Sequence, residues 1–186
     1  MPADRRRAHL IETTIPLLLE YGQGLTTRQI AEAADVAEGT IFGVFADKAS
    51  LLAAVVDQAL DPTQFEQDLD QIDRSLPLHD RLVVAVRLLQ QRVARIGQLM
   101  TASGISAVPA PSGGDRSART SVGALARLFE PDRAVLCRSP EACARVLRGL
   151  AIASAHPGLS PDGGDPPEEI VFVVLHGVMV EEDPRC

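Results

Sequence analysis

LTTRQIAEAADVAEGTIFGVFADKASL, residues 25–51, decides the fold. Thr26 can accept a hydrogen bond from the first free amides of a helix, and Gln29 stands three residues later, as a capping box requires. Ile30, Ala31 and Ala34 then recur at helical spacing, so this short helix buries one side. Asp35 is a residue type that tolerates a turn, and Val36 plugs the corner beneath it. A second helix is predicted from Glu38 through Phe45, half-buried and half-presented, and Asp47 caps a third that Lys48 begins. Two helices crossing through a tight turn form a helix-turn-helix, whose second helix is shaped to enter the major groove.

Upstream, Leu10, Ile11, Thr14, Leu17, Leu18 and Tyr21 make a helical stripe with Asp4 as its cap, ended by Gly22 and Gly24. Pro16 inside it removes one hydrogen bond, so a kink or a loosely held first half is expected. Arg5, Arg6 and Arg7 belong to a polar arm ahead of that helix, either solvated or set against phosphate. Downstream, the helix from Lys48 to Leu60 faces Leu51, Leu52, Val55, Val56 and Leu60 inward and stops at Asp61-Pro62. Phe65, Leu69 and Ile72 suggest one more helix in an acidic stretch.

The long element runs from Leu78 to about Ser103, where Leu82, Val86, Leu89, Val93, Ile96 and Met100 form a continuous inward stripe. Such a helix would extend roughly 40 Å. The stripe serves either as plain core or as the wall of a ligand cavity, and Gly97 beside Met100 leaves room at that end. Residues 104–117, GISAVPAPSGGDRS, read as a mobile loop. A shorter helix carries Val122, Leu125, Leu128 and Phe129 to Glu130-Pro131. Ser139-Pro140-Glu141 then combines cap, first-position proline and acid, opening a helix that Cys143, Val146, Leu147, Leu150 and Ala151 carry to His156-Pro157. In the last element IVFVVLHGVMV is rich in β-branched residues, yet Pro166-Pro167-Glu168-Glu169 reads as a helix N-terminus, and helix is preferred. That helix is apolar nearly all round and needs cover on several sides, with Gly177 allowing close approach.

With 186 residues, 46% of them hydrophobic and 3% aromatic, the chain can build a sizeable aliphatic core. Its net charge of −7 has the wrong sign for coating nucleic acid along its length. Even residues 1–48 hold five cations (Arg5, Arg6, Arg7, Arg28, Lys48) against seven anions, a net 5 − 7 = −2. DNA contact must therefore come from a few placed cations. The cysteines Cys137, Cys143 and Cys186 fit no common zinc pair and read as two small apolar residues and a tail thiol, with a redox switch the lesser alternative. No apolar run approaches the roughly 20 residues a membrane span needs, and a cytoplasmic protein is expected.

No phosphate loop, paired-histidine motif or nucleophile elbow occurs. His9, His79, His156 and His176 are scattered, and Asp68, Asp70 and Asp73 read as a solvated acidic face. No catalysis, cofactor or metal is expected.

Residues 26–52, TTRQIAEAADVAEGTIFGVFADKASLL, resemble the N-terminal domain of TetR-type transcriptional regulators. The register of the capped helix, the turn before Val36, the run Gly39-Thr40-Ile41-Phe42, then Phe45, Lys48 and Leu51 carries the resemblance. LIETTIPLLLEYG, residues 10–22, is similar to the family's first helix with its aromatic-glycine end. The resemblance covers roughly residues 5 to 55. Asp35 stands where the family usually has Gly, Ala37 where a Ser cap is common, Gly43-Val44 where a basic residue and Tyr or His are common, and Phe42 in place of Tyr.

What the resemblance implies is an all-α homodimeric regulator, a repressor, with a DNA-binding head at residues 1–47 and a helical ligand-binding and dimerisation part at 48–186. Thr26, Thr27, Arg28 and Lys48 are expected to hold phosphates, and Glu38 and Thr40 to meet base edges. Phe42 belongs to the same DNA face, and Gly39 and Gly43 permit close backbone approach. The operator would be a palindrome with half-sites about 34–36 Å apart. A small apolar or amphipathic ligand would enter a cavity among the long helix, Lys48–Leu60 and Val122–Phe129, lined by Leu89, Val93, Ile96, Met100, Leu125 and Phe129. Dimerisation is expected through the last two helices, where His156 and His176 could meet. The competing expectation is a helical small-molecule-binding protein or interaction adaptor with a weakened head.

Overall fold

A computed structural model describes residues 2–105, 114–156, 158–160 and 164–178, the side chains of 114–120 and 177–178 excepted. The described residues are helical: α1 Ala3–Tyr21, α2 Thr27–Ala33, α3 Glu38–Phe42, α4 Lys48–Leu60, α5 Thr63–Asp70, α6 Leu78–Ser103, α7 Gly114–Phe129, α8 Pro140–Ala155 and α9 Pro167–Val178. They form two compact units, Met1–Asp61 with Arg95–Pro111, and Pro62–Ala94 with Ser112–Cys186. The long helix α6 thus begins in the second unit and ends in the first.

In the first unit α1 packs on α2 and α4, and α2 on α3. Leu10, Leu18, Leu25, Ile30, Ile41, Phe45, Leu51, Val55 and Leu99 close one core. α1 runs unbroken through Pro16, which is exposed while Leu10, Ile11, Thr14 and Leu18 are buried. The buried stripe runs on both sides of Pro16. Two expectations fail here. Asp4 lies inside the first turn and Pro2 occupies the cap position, so Arg5, Arg6 and Arg7 are helical. Tyr21 is exposed, because α1 ends there at Gly22, whose φ of 56° turns the chain away.

In the second unit α7 packs most extensively on α8, α8 on α9 and α5 on α7. Leu69, Leu82, Val86, Leu125, Leu128, Phe129, Leu147 and Val171 lie in its core. Arg81, only 3% exposed, is the charge this core tolerates. Its guanidinium donates to the carbonyls of Leu128 (3.2 and 3.1 Å), Arg74 (3.1 Å) and Leu76, and pairs with Asp132. A buried cation persists only when its donors are satisfied in this way. The carbonyls it binds fix the end of α7 and the turn before α6. A short 3-10 turn, Glu130–Val135, follows α7 where the sequence suggested only a stop.

Ser139 caps α8 by accepting from Ala142 N, as expected. α9 is a helix and not a strand. Within α8 the buried stripe runs through Cys143, Ala144, Leu147 and Ala151, and Val146 and Leu150 are exposed. The loop expected at 104–117 falls partly outside the described residues, and its last four positions are already helical in α7. Pro157 and Cys186 also lie outside them, as does the burial of Gly177.

Candidate nucleic-acid interface

The head is built from the caps upward. Thr26 Oγ1 accepts from Gln29 N at 3.3 Å, while Gln29 Oε1 accepts from Thr26 N at 2.8 Å, so both ends of the box are closed. After α2 the chain reverses at Asp35, whose φ of 53° places a residue with a side chain in the left-handed region. Val36 packs against the head core below it.

α3 is shorter than expected. It ends at Phe42, and Phe45 lies beyond it, buried against Ile41 and the rest of the core. Gly43 follows at the end of the helix with its amide still bonded to Gly39 O at 3.1 Å. A five-residue helix opened by Ala37, which offers no side-chain cap, has little stability of its own. Ile41 is its single buried anchor. What α3 leaves outward is Glu38, Gly39 and Phe42, with Thr40 half-buried. Phe42 is 51% exposed. A Cβ placed on Gly39 would meet nothing within 4 Å, so a ligand can come close to the backbone there.

The expected phosphate contacts are engaged within the head. Thr27 Oγ1 donates to the Glu38 carboxylate, tying α2 to the start of α3. Arg28 pairs with Glu32 at 2.9 Å, both widely exposed, and Glu32 raises the guanidinium above its ordinary pKa through that hydrogen bond and its charge. Exposed pairs of this kind contribute little and yield readily to phosphate. Lys48, first residue of α4, donates to Gln23 O at 3.2 Å. Asp47 caps α4 in a second reciprocal box with Ser50.

Two contacts were not expected. Arg7 places its guanidinium 4.5 Å from the centre of the Phe45 ring. Its position is legible afterwards: 7, 10, 11, 14 and 18 follow one helical face. The Thr27–Glu38 bond joins residues eleven apart and leaves no local pattern.

Of the six residues expected to line a cavity, Leu89, Leu125 and Phe129 lie in the core of the second unit, with Val93 packed against it. Ile96 and Met100 are half-buried and lie past Arg95, in the part of α6 that belongs to the first unit. There Leu99, at 0% exposure, is the core residue. Among the described residues no group of three or more His, Cys, Asp or Glu could hold a metal, and no helix is long and apolar enough to cross a membrane. Burial pushes the Cys143 thiol up, assisted by Cys137.

Residues 10–55 match the family described as bacterial regulatory proteins, tetR family. Among the curated proteins none matches the chain. Solved structures do. A putative TetR-family regulator from Mesorhizobium loti superposes with a TM-score of 0.63 at 15% identity, over 97% of this chain and 100% of that one. The reduced form of E. coli NemR gives 0.62 at 17%, over 95% and 100%. AibR, in complex with isovaleryl coenzyme A and operator DNA, gives 0.50 at 18%, over 92% and 97%. A capped helix, a turn at Asp35, a presented α3 and this shared fold fit one kind of molecule: the head is a tetR-family N-terminal domain on a TetR-type helical fold, and the chain is a DNA-binding transcriptional regulator.

Proposed function

We propose that this regulator is a repressor that holds a palindromic operator as a homodimer and lets go when a small apolar or amphipathic molecule binds. The observation that carries it is α3, whose Ile41 is buried while Glu38, Gly39 and Phe42 face outward on a helix that its own unit leaves uncovered. Residues 1–47 read the DNA and 48–186 sense and pair, with α4 packed into the head core through Leu51, Leu52 and Val55. Thr26, Thr27, Arg28 and Lys48 hold phosphates; Glu38 and Thr40 meet base edges, Glu38 by exchanging its bond from Thr27 for one from cytosine N4. Phe42 offers an apolar contact to a thymine methyl, and Gly39 and Gly43 let the backbone approach.

Dimerisation is assigned to α8 and α9. Phe172 and Val173 are 58% and 59% exposed, and Val146 and Leu150 are exposed on α8, an apolar surface out of keeping with a free chain. His176 stacks on Phe172 at 3.7 Å within the same helix. For the ligand, Leu89, Val93, Leu125 and Phe129 supply an aliphatic and aromatic lining with no charge among them. Ile96 and Met100 are left out of it. A ligand relieves repression only by preferring a state in which the two heads are mis-spaced for their half-sites. AibR, solved with both an acyl-coenzyme A and operator DNA, supports such a pairing of sites on this fold.

Selection of bound duplexes from a randomised pool tests this reading. Enrichment of a palindrome is expected, with half-sites about one helical turn apart. A folded, dimeric protein that enriches nothing at low salt would refute it.

A further inference from the structure

α3 lacks cationic anchors at its end. Gly43 and Val44 follow it, and neither side chain can donate to phosphate. The next residue in the chain is Phe45, buried in the head core. Over its ring sits the guanidinium of Arg7, from the start of α1. Folding therefore carries the beginning of α1 to the end of the recognition helix, although 38 positions separate Arg7 from Phe45 in the sequence. With it come Arg5 and Arg6.

These arginines are helical, so their spacing is fixed by α1 and not by a loose arm. Arg5 and Arg7 are exposed, and Arg5 has no ion pair among the described residues. Asp4 is the acid next to them, leaving residues 4–7 with three cations against one anion in a head that is otherwise net acidic. A guanidinium stacked on an aromatic ring keeps its charge and its in-plane donors, which remain available to a phosphate oxygen. Its side chain is also partly ordered in advance, which lowers the entropy cost of binding.

We propose that Arg5 and Arg7 form a phosphate-binding site that takes the place of the donors missing at Gly43 and Val44. Arg7 is oriented by Phe45, and Arg5, two positions back and so about 200° round the helix, supplies a second charge at the same end of α1. The site rests on the DNA-binding function above and adds a contact outside the helix-turn-helix itself. Its ligand is the backbone of double-stranded DNA, read without regard to sequence.

The test uses the full chain and a mixed-sequence duplex, with affinity measured by fluorescence anisotropy across a salt series. Each phosphate contact contributes about 0.9 to the slope of log K against log salt. Arg5→Gln is expected to lower that slope by about 0.9, and the Arg5→Gln/Arg7→Gln double variant by about twice as much. The Arg5→Lys/Arg7→Lys double variant, which keeps both charges, should hold the wild-type slope. Thermal melting of each variant separates lost binding from a lost fold, and Arg5→Gln alters an exposed side chain. An unchanged slope in the folded Gln variants would overturn the site while leaving the regulator intact. A loss confined to duplexes carrying A·T runs would replace phosphate binding with minor-groove reading and overturn it too. Wild-type protein with no salt-dependent duplex binding would defeat the DNA-binding function first.

Discussion

The head and the α8–α9 region handle their apolar residues in opposite ways. In the head, Ile30, Ile41, Leu51, Leu52, Val55 and Val56 of α2 to α4 are covered within the same chain. In α8 and α9, Val146, Leu150, Phe172 and Val173 stay open to solvent. The outward large residue on α3 is an aromatic beside a glycine, Phe42. The outward residues on α8 and α9 are four apolar side chains, and only another apolar surface repays their exposure. One region covers its inward aliphatics; the other leaves four apolar side chains open.

That contrast is broken most forcefully at α9. Val173→Glu places a charge where a second copy is expected to pack, and an unpaired buried charge costs several kcal/mol. Light scattering should then report a monomer where the wild type is expected to be a dimer. Operator binding should weaken by at least about a hundredfold, because a single head forfeits the second half-site. A variant that stays dimeric would remove α9 from the interface. The matching substitution in the head, Phe42→Glu, should leave the dimer untouched and abolish DNA binding alone.

Smaller, and confined to stability, is the effect expected at Leu99. This residue is fully buried among head residues although it stands near the end of α6. Leu99→Ala should destabilise the protein by about 2–5 kcal/mol, read as a shift in the chemical denaturation midpoint. Met100→Ala, at a half-buried site, should cost clearly less. Equal losses would mean that the two positions share the burial.

The pair Leu99 and Met100 shows where sequence legibility stopped. The stripe Leu82, Val86, Leu89, Val93, Ile96, Met100 extrapolates one helical face, and its first three members are buried as that periodicity demands. Past Arg95 the helix changes the unit it packs with, and the buried face rotates to Leu99. No local spacing announces a change of partner. Capping, by contrast, is local chemistry: Thr26 with Gln29, Asp47 with Ser50 and Ser139 with Ala142 all follow from residues within three positions. The same distinction explains the candidate interface. Thr26, Arg28, Thr40 and Phe42 could be placed on their helices from the motif, whereas Thr27 to Glu38 and Arg7 to Phe45 arise only when separate helices meet.

The finest test concerns the two ends of the turn that launches α3. Asp35 holds a φ of 53°, which glycine adopts without penalty, and Ala37 occupies a cap position that a serine hydroxyl could complete. Asp35→Gly relieves the left-handed strain but loosens the unfolded chain, so its net effect should be no more than about 1 kcal/mol in either direction. Ala37→Ser has no such opposing term. It should stabilise α3 by about 0.5–1 kcal/mol, visible as slower amide exchange from Thr40 to Phe42. If α3 is marginal in the free protein and ordered by DNA, the same substitution should tighten operator binding by a few-fold, because part of the ordering has been done beforehand. Slower exchange with unchanged affinity would mean that α3 is already fully formed before it meets the groove, leaving phosphate contacts as the lever on affinity.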